Sequence, residues 1–141
     1  TPKEMIDRIR DQVYDFVQPD ASVIGGIGAV MEVFDKAFQM NTEVVVHAWG
    51  GPVAIMASYH AAFAGRGQLV EFPMLNFPLG DEMLGESKAI EKGYLLRPDA
   101  PGLGITFSEE IEEKYRFDET AVYSCKTLDR GKPLESYWNE S

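Results

Sequence analysis

A chain of 141 residues, 45% hydrophobic and 26% charged, has the composition of one globular domain with a buried core. Its net charge of −10, from 13 basic and 23 acidic side chains, disfavours nucleic acid, whose phosphates call for a Lys/Arg patch. No apolar run approaches the roughly 18 residues of a membrane span, nothing resembles a signal peptide, and the single cysteine, Cys125, cannot close an internal disulfide. Together these features predict a cytoplasmic protein with neither a nucleic-acid nor a membrane partner. The first residue is Thr1 rather than Met, which predicts processing, truncation or an excerpt of a longer chain.

Residues 2–15, "PKEMIDRIRDQVYD", read as a helix. Pro2 suits its first turn, and Met5, Ile6, Ile9 and Val13 share a face. "FVQPD" is a short apolar run ending at Asp20, and "SVIGGIG" reads as a glycine turn. "AVMEVFDKAFQM" is helical again, with Val30, Val33, Phe34 and Phe38 on one face. "TEVVVHAWG" is a strand with the continuous apolar character of a parallel sheet buried on both faces. "PVAIMASYHAAFA" is a helix of small residues opening at Gly-Pro, and "QLVEF" is a third strand.

After Glu71 the pattern changes. "PMLNFPLGDEML" reads as a loop punctuated by Pro and Gly, and "KGYLLRPDAPGLGITF" as a strand, a proline turn and another strand. "SEEIEEKYRF" is a helix capped by Ser108, with Ile111 and Tyr115 on one face. Residues 118–141 are polar with Tyr123, Tyr137 and Trp138 scattered among them, a tail expected to pack on something else. Residues 1–75 thus form the βα units, and 76–141 a C-terminal strand, turn and helix segment with its tail.

Strands alternating with single helices predict a parallel sheet. The strand ends fall at Asp20, His47 and Glu71, 27 and 24 residues apart (47 minus 20; 71 minus 47). That is about one eighth of a ~250-residue (β/α)8 barrel. The length does not hold a whole barrel, so a small open α/β sheet and the last part of a barrel fit the pattern equally well.

Three ionisable residues close three successive strands, and active sites of parallel α/β folds gather at the carboxyl ends of strands. Adjacent strands lie about 4.8 Å apart, so Asp20 and His47 can touch if their heights match. A carboxylate beside an imidazole favours its charged form and fixes its tautomer, which makes a general base. Glu71, one strand further, can bind substrate or serve as an acid, and Trp49 can line the pocket. Each residue alone has an ordinary structural explanation: a capped strand-end histidine, an Asx turn, a surface glutamate, a packing tryptophan. Their joint occurrence at consecutive strand ends favours a site. His60, inside "ASYHAAF", reads as structural, and Cys125 as an inert thiol. "GGIGAV" fails as a dinucleotide loop, because the third glycine position is Met31. There is no Walker, CxxC or HExxH motif, hence no self-contained metal site.

In order, "QPDASVIGGI", "VVVHAWGG", "LVEFP" and "GYLLRPDAPGLGI" resemble the C-terminal part of the mandelate racemase/muconate lactonizing family of the enolase superfamily. The resemblance covers about residues 1–117. Its most specific parts are the D-x-x-x-x-G-G turn from Asp20 to Gly26 and the run from Arg97 to Ile105. It implies strands 6–8 of a (β/α)7β barrel, with a separate capping domain and the early strands outside this chain. It implies removal of the proton α to a substrate carboxylate, with the enediolate stabilised by Mg²⁺ whose ligands also lie outside it. Asp20 then matches the sixth-strand Asp that orients the seventh-strand His, His47 matches that His, and Glu71 matches the eighth-strand carboxylate. "FVQPDAS" lacks the Lys of the lactonizing branch, so the His–Asp branch fits better.

Three outcomes are therefore expected to compete. The first is part of a sugar-acid (aldonate or aldarate) dehydratase acting on a small carboxylate, as a homo-oligomer completed by the rest of the barrel and the capping domain in the same or another chain. A mandelate-type racemase or epimerase is the alternative within the family. A truncated, non-catalytic module, or a small open α/β binding protein with accidental similarity, is the alternative of another class. By itself the chain is expected to be inactive.

Overall fold

The computed structural model describes residues 1–74 and 77–118. The order is α1 (Pro2–Arg10), β1 (Phe16–Val17), α2 (Ala21–Ile24), α3 (Ile27–Met40), β2 (Glu43–Val46), α4 (Pro52–Ala64) and β3 (Leu69–Val70). Then follow α5 (Pro78–Leu84), a 3₁₀ turn (Gly85–Lys88), β4 (Ile90–Glu91), β5 (Tyr94–Leu95) and α6 (Glu109–Lys114). Strands β1, β2 and β3 form one parallel sheet in that order, and β4 and β5 an antiparallel hairpin. The architecture is mixed α/β, and the described strands do not close a barrel. No described helix is long and apolar enough to cross a membrane.

Strand periodicity divides the parallel sheet into two unlike faces. Val17, Val44 and Val46 point to one face and are buried. They pack against Val30, Val33, Phe34 and Ala37 of α3 and Ile55, Met56 and Tyr59 of α4 in a single core that also takes Ile9 of α1. Phe16, Glu43, Val45 and Leu69 alternate to the other face, which no described helix covers, and Phe16 and Leu69 are exposed there. Carrying the alternation onward places Asp20, His47 and Glu71 on this open face.

The ladder register then sets their heights. Phe16 pairs with Glu43 and Val45 with Leu69. These offsets of 27 and 24 (43 minus 16; 69 minus 45) equal the spacings of Asp20, His47 and Glu71. The ladder continues to the strand ends: the His47 amide donates to the Pro19 carbonyl at 3.0 Å and the Glu71 amide to the Val46 carbonyl at 3.5 Å. Three side chains in register on adjacent parallel strands form a row.

Several expectations from the sequence are corrected. Helix α1 ends at Arg10, not near residue 15, because Gln12 turns to φ 51° and sends the chain into β1, leaving Val13 exposed. "SVIGGIG" is not only a turn. Residues Ala21–Ile24 make one helical turn before Gly25 (φ 119°) and Gly26 (φ 92°) redirect the chain into α3, a conformation that side chains other than glycine resist. The buried stripe of α3 ends on Ala37, and Phe38 is 88% exposed. "PMLNFPLGDEML" contains the helix α5, opened by Pro78 at its first turn. In "KGYLLRPDAPGLGITF" only Tyr94–Leu95 is strand, and it pairs back on Ile90–Glu91; the expected second strand joins no ladder among the described residues, and its Thr106 amide donates to the Met83 carbonyl at 2.9 Å. The α6 helix agrees with expectation, its cap being Ser108, whose hydroxyl accepts from the Ile111 amide. Cys125, Tyr123, Tyr137 and Trp138 lie outside the described residues.

The joint between α3 and the end of α4 is closely packed. A Cβ placed on Gly65 would meet the Phe34 ring at 2.4 Å, although the Gly65 backbone, φ −79°, is open to any residue. Gly65→Ala is therefore expected to lower stability by about 1–3 kcal/mol through overpacking alone. Chemical denaturation of the complete protein checks this. Adding Phe34→Leu should recover part of the loss, and a single variant as stable as wild type would refute the close-packing argument.

Candidate functional site

Asp20 is the last residue before α2, and its backbone is still extended. Its carboxylate is 7% exposed as a residue and uses its two oxygens differently. Oδ1 accepts from the Ser22 amide at 2.7 Å and from the Ser22 hydroxyl at 2.6 Å, capping the short helix. Oδ2 meets His47 Nδ1 at 2.7 Å. Burial pushes the Asp20 carboxyl up, but the hydrogen bonds from the Ser22 hydroxyl, from His47 and from the Ser22 amide outweigh it and hold Asp20 below the ordinary carboxylate range. An ionised Asp20 assigns the Nδ1 proton to its own side of the ring, so Nε2 carries the free lone pair of neutral His47.

The His47 side chain is 43% exposed, and its Nε2 faces Glu71 Oε2 at 3.8 Å. Glu71 is held from two sides. Its carboxylate accepts from the Ala48 amide at 3.2 Å, and its main-chain carbonyl accepts from the buried Tyr59 hydroxyl at 3.0 Å. Burial, followed by the negative charge of Glu71, pushes the Tyr59 phenol up to about 12, so it stays a neutral donor across the working pH range. Ser58, fully buried one residue earlier on α4, accepts the Ala21 amide at 3.1 Å and fixes the turn that follows Asp20.

The structure thus brings Asp20, His47 and Glu71 together in one row, with a base nitrogen facing an open surface. Trp49 lies two residues beyond His47 and is 48% exposed; no hydrogen bond ties it to the row. His60 packs edge-on against Phe63, ring centroids 6.2 Å apart, and takes no part in these bonds. Ser22, Tyr59 and Ser58 were not singled out from the sequence. A hydroxyl two residues after an Asp at a helix start is a signal that could have found Ser22. Nothing in "MASYHAA" marks Ser58 or Tyr59, because their partners come from distant strands.

The raised phenol has a consequence for stability. Unfolded, Tyr59 ionises near 10, and folded near 12. Its contribution is therefore complete below pH 10 and is lost as pH rises from 10 toward 12, because only the unfolded chain releases the proton there. Tyr59→Phe should flatten that alkaline decline and cost about 1 kcal/mol at neutral pH from the lost hydrogen bond. Urea titrations of both proteins from pH 7 to 11.5 check this; parallel alkaline slopes would refute it.

Residues 1–111 match the family described as enolase C-terminal domain-like, a TIM-barrel-type region. An arabinonate dehydratase of Saccharolobus solfataricus is 30% identical over 113 residues, covering 80% of this chain and 30% of that protein. A D-gluconate dehydratase of Thermoproteus tenax is 27% identical over 85% of the chain and 24% of its own length. A D-xylonate dehydratase of Haloferax volcanii is 24% identical over 82% of the chain and 28% of its length. The chain thus spans about 30% of the Saccharolobus protein and less of the other two. With the matched model reaching from Thr1 to Ile111, the chain belongs to the enolase C-terminal domain-like family.

Proposed function

We propose that this chain supplies strands 6–8 of a (β/α)7β barrel, here β1 to β3, and with them the His47–Asp20 base of a sugar-acid dehydratase. The observation that carries the reading is the 2.7 Å contact between His47 Nδ1 and Asp20 Oδ2, in register with Glu71. The names of the three relatives, dehydratases of arabinonate, gluconate and xylonate, support the acid-sugar class.

In dehydration the α C–H bond of the acid sugar breaks and its proton goes to a base. The electron pair forms the α–β double bond, and the β-hydroxyl leaves as water after taking a proton. The enol then becomes a 2-keto-3-deoxy acid. Neutral His47 can take a proton on Nε2, and as imidazolium it can deliver one to the departing hydroxyl. Asp20 stabilises the imidazolium without taking its proton, because its own carboxyl is held low. Glu71, fixed by the Ala48 amide beside Nε2, is placed to bind a substrate hydroxyl. Trp49 is assigned to the pocket wall.

Enolase-superfamily members generally use Mg²⁺. Among the described residues no group of three or more His, Cys, Asp or Glu side chains is arranged to hold a metal ion. The acidic and imidazole groups of the row are already bonded to one another or to the main chain. These donors do not fit Mg²⁺. In this reading the ion's ligands, the capping domain and the remaining strands come from elsewhere in the same or another chain. The assembly is then a homo-oligomer, in the cytoplasm.

The test is to screen the complete protein, with Mg²⁺, against a panel of aldonates and aldarates. A 2-keto-3-deoxy acid is the expected product. Deuterium entering the α-carbon with the skeleton unchanged would replace this reading by racemisation. His47→Asn should lower turnover by at least about 10²–10⁴ while Mg²⁺ affinity, read by calorimetry, stays unchanged. Wild-type turnover in that variant would remove His47 from the mechanism.

A further inference from the structure

We propose that Ser22 is a positioning residue of the His47–Asp20 pair, holding the Asp20 carboxylate in the orientation that presents Oδ2 to the imidazole. The kinetic part of this inference rests on the dehydratase reading; the structural part does not.

A carboxylate can turn about its Cβ–Cγ bond, a torsion with broad minima. Which oxygen faces His47, and at what angle, is therefore not set by the strand alone. Both bonds to Oδ1 come from Ser22, the amide at 2.7 Å and the hydroxyl at 2.6 Å, and together they define the carboxylate plane. Oδ2 is then left to His47 Nδ1 at 2.7 Å. The backbone under this arrangement is fixed separately, by Ser58 on the Ala21 amide.

Ser22 itself is exposed, so core packing does not require its hydroxyl. A cap alone needs only the amide bond, which any residue but proline provides at this position. The hydroxyl adds a second donor to a carboxylate already capped, and its effect falls on the plane and charge of that carboxylate. Its influence should reach the ring through Asp20: a firmly held, ionised Oδ2 keeps neutral His47 as the Nδ1–H tautomer and leaves Nε2 as base.

The experiment compares wild type, Ser22→Ala and Ser22→Thr in the complete protein. Nitrogen-15 NMR of the His47 ring, without substrate, reads the tautomer. Wild type and Ser22→Thr should show neutral His47 as the Nδ1–H form, and Ser22→Ala should show a clear admixture of Nε2–H. On an acid sugar that wild type dehydrates, Ser22→Ala should lower kcat about tenfold, the worth of one charged hydrogen bond. Its KM should stay within about twofold, and Ser22→Thr should restore kcat. A wild-type tautomer in Ser22→Ala overturns the proposal, whatever happens to Tm, and so does equal impairment in Ser22→Thr. If wild type consumes no acid sugar, the dehydratase reading fails, and the tautomer still decides the role of Ser22.

Discussion

The Asp20 carboxylate is where fold and site meet. One oxygen closes the first turn of α2, and the other holds the imidazole of His47. Neither role is incidental. Without the cap, the exit from β1 toward the glycine pair rests on Ser58 and the Ala21 amide alone. Without the imidazole contact, His47 has no assigned tautomer. Burial should make an ionised carboxylate costly here, yet three donors around two oxygens reverse the balance. Because the group is held ionised, it is both a good cap and a good partner for an imidazolium. The ordinary reading of an Asp after Pro, a turn cap, accounts for one oxygen, and the other is the one that faces His47.

Everything else in the row follows from parallel pairing. In an antiparallel sheet, neighbouring strand ends point to opposite edges, and three consecutive carboxyl ends could not meet. In this sheet the pairing offsets of 27 and 24 residues equal the spacing of the ionisable residues, so the three arrive at one height. Helices of 14 and 13 residues, α3 and α4, fill the crossovers and bury the valine face. The parallel α/β sheet, the strand ends and the meeting of Asp20 with His47 were legible in the sequence for this reason. Strand spacing in a repeated βα unit is itself a distance measurement.

What was not legible has physical causes too. Phe38 fits the helical stripe by spacing, but α3 is covered on a narrower arc that closes at Ala37, leaving Phe38 beyond it. The end of α1 depends on Gln12 adopting a left-handed conformation, which no local preference of glutamine announces. In "FPLGDEML" the proline and glycine suggested a loop, yet Pro78 sits in a first turn where it costs nothing, and Gly80 is buried against Phe77. Tyr59 and Ser58 carry two of the site's supporting bonds from the middle of a helix without a charged residue. Helical periodicity shows such residues as core, and only tertiary structure shows which polar tip reaches a strand.

The two faces of the sheet make opposite demands. On the helix side, Val17, Val44 and Val46 are buried and Val70 is partly covered. On the other side, Phe16 and Leu69 stand exposed beside the half-buried Val45. Fully covering one such side chain is worth about 1.5–3 kcal/mol, comparable to the contributions that hold the described core together. The same face turns polar at its carboxyl end, where Asp20, His47 and Glu71 stand. Gln18 and Glu43 alternate onto the same face lower down, so it is mixed at depth and ionisable at the rim, the end where a parallel barrel carries its chemistry. Both levels of this face arise from one alternation along three short strands, and shifting any strand by one residue would send its side chains at both levels to the helix side.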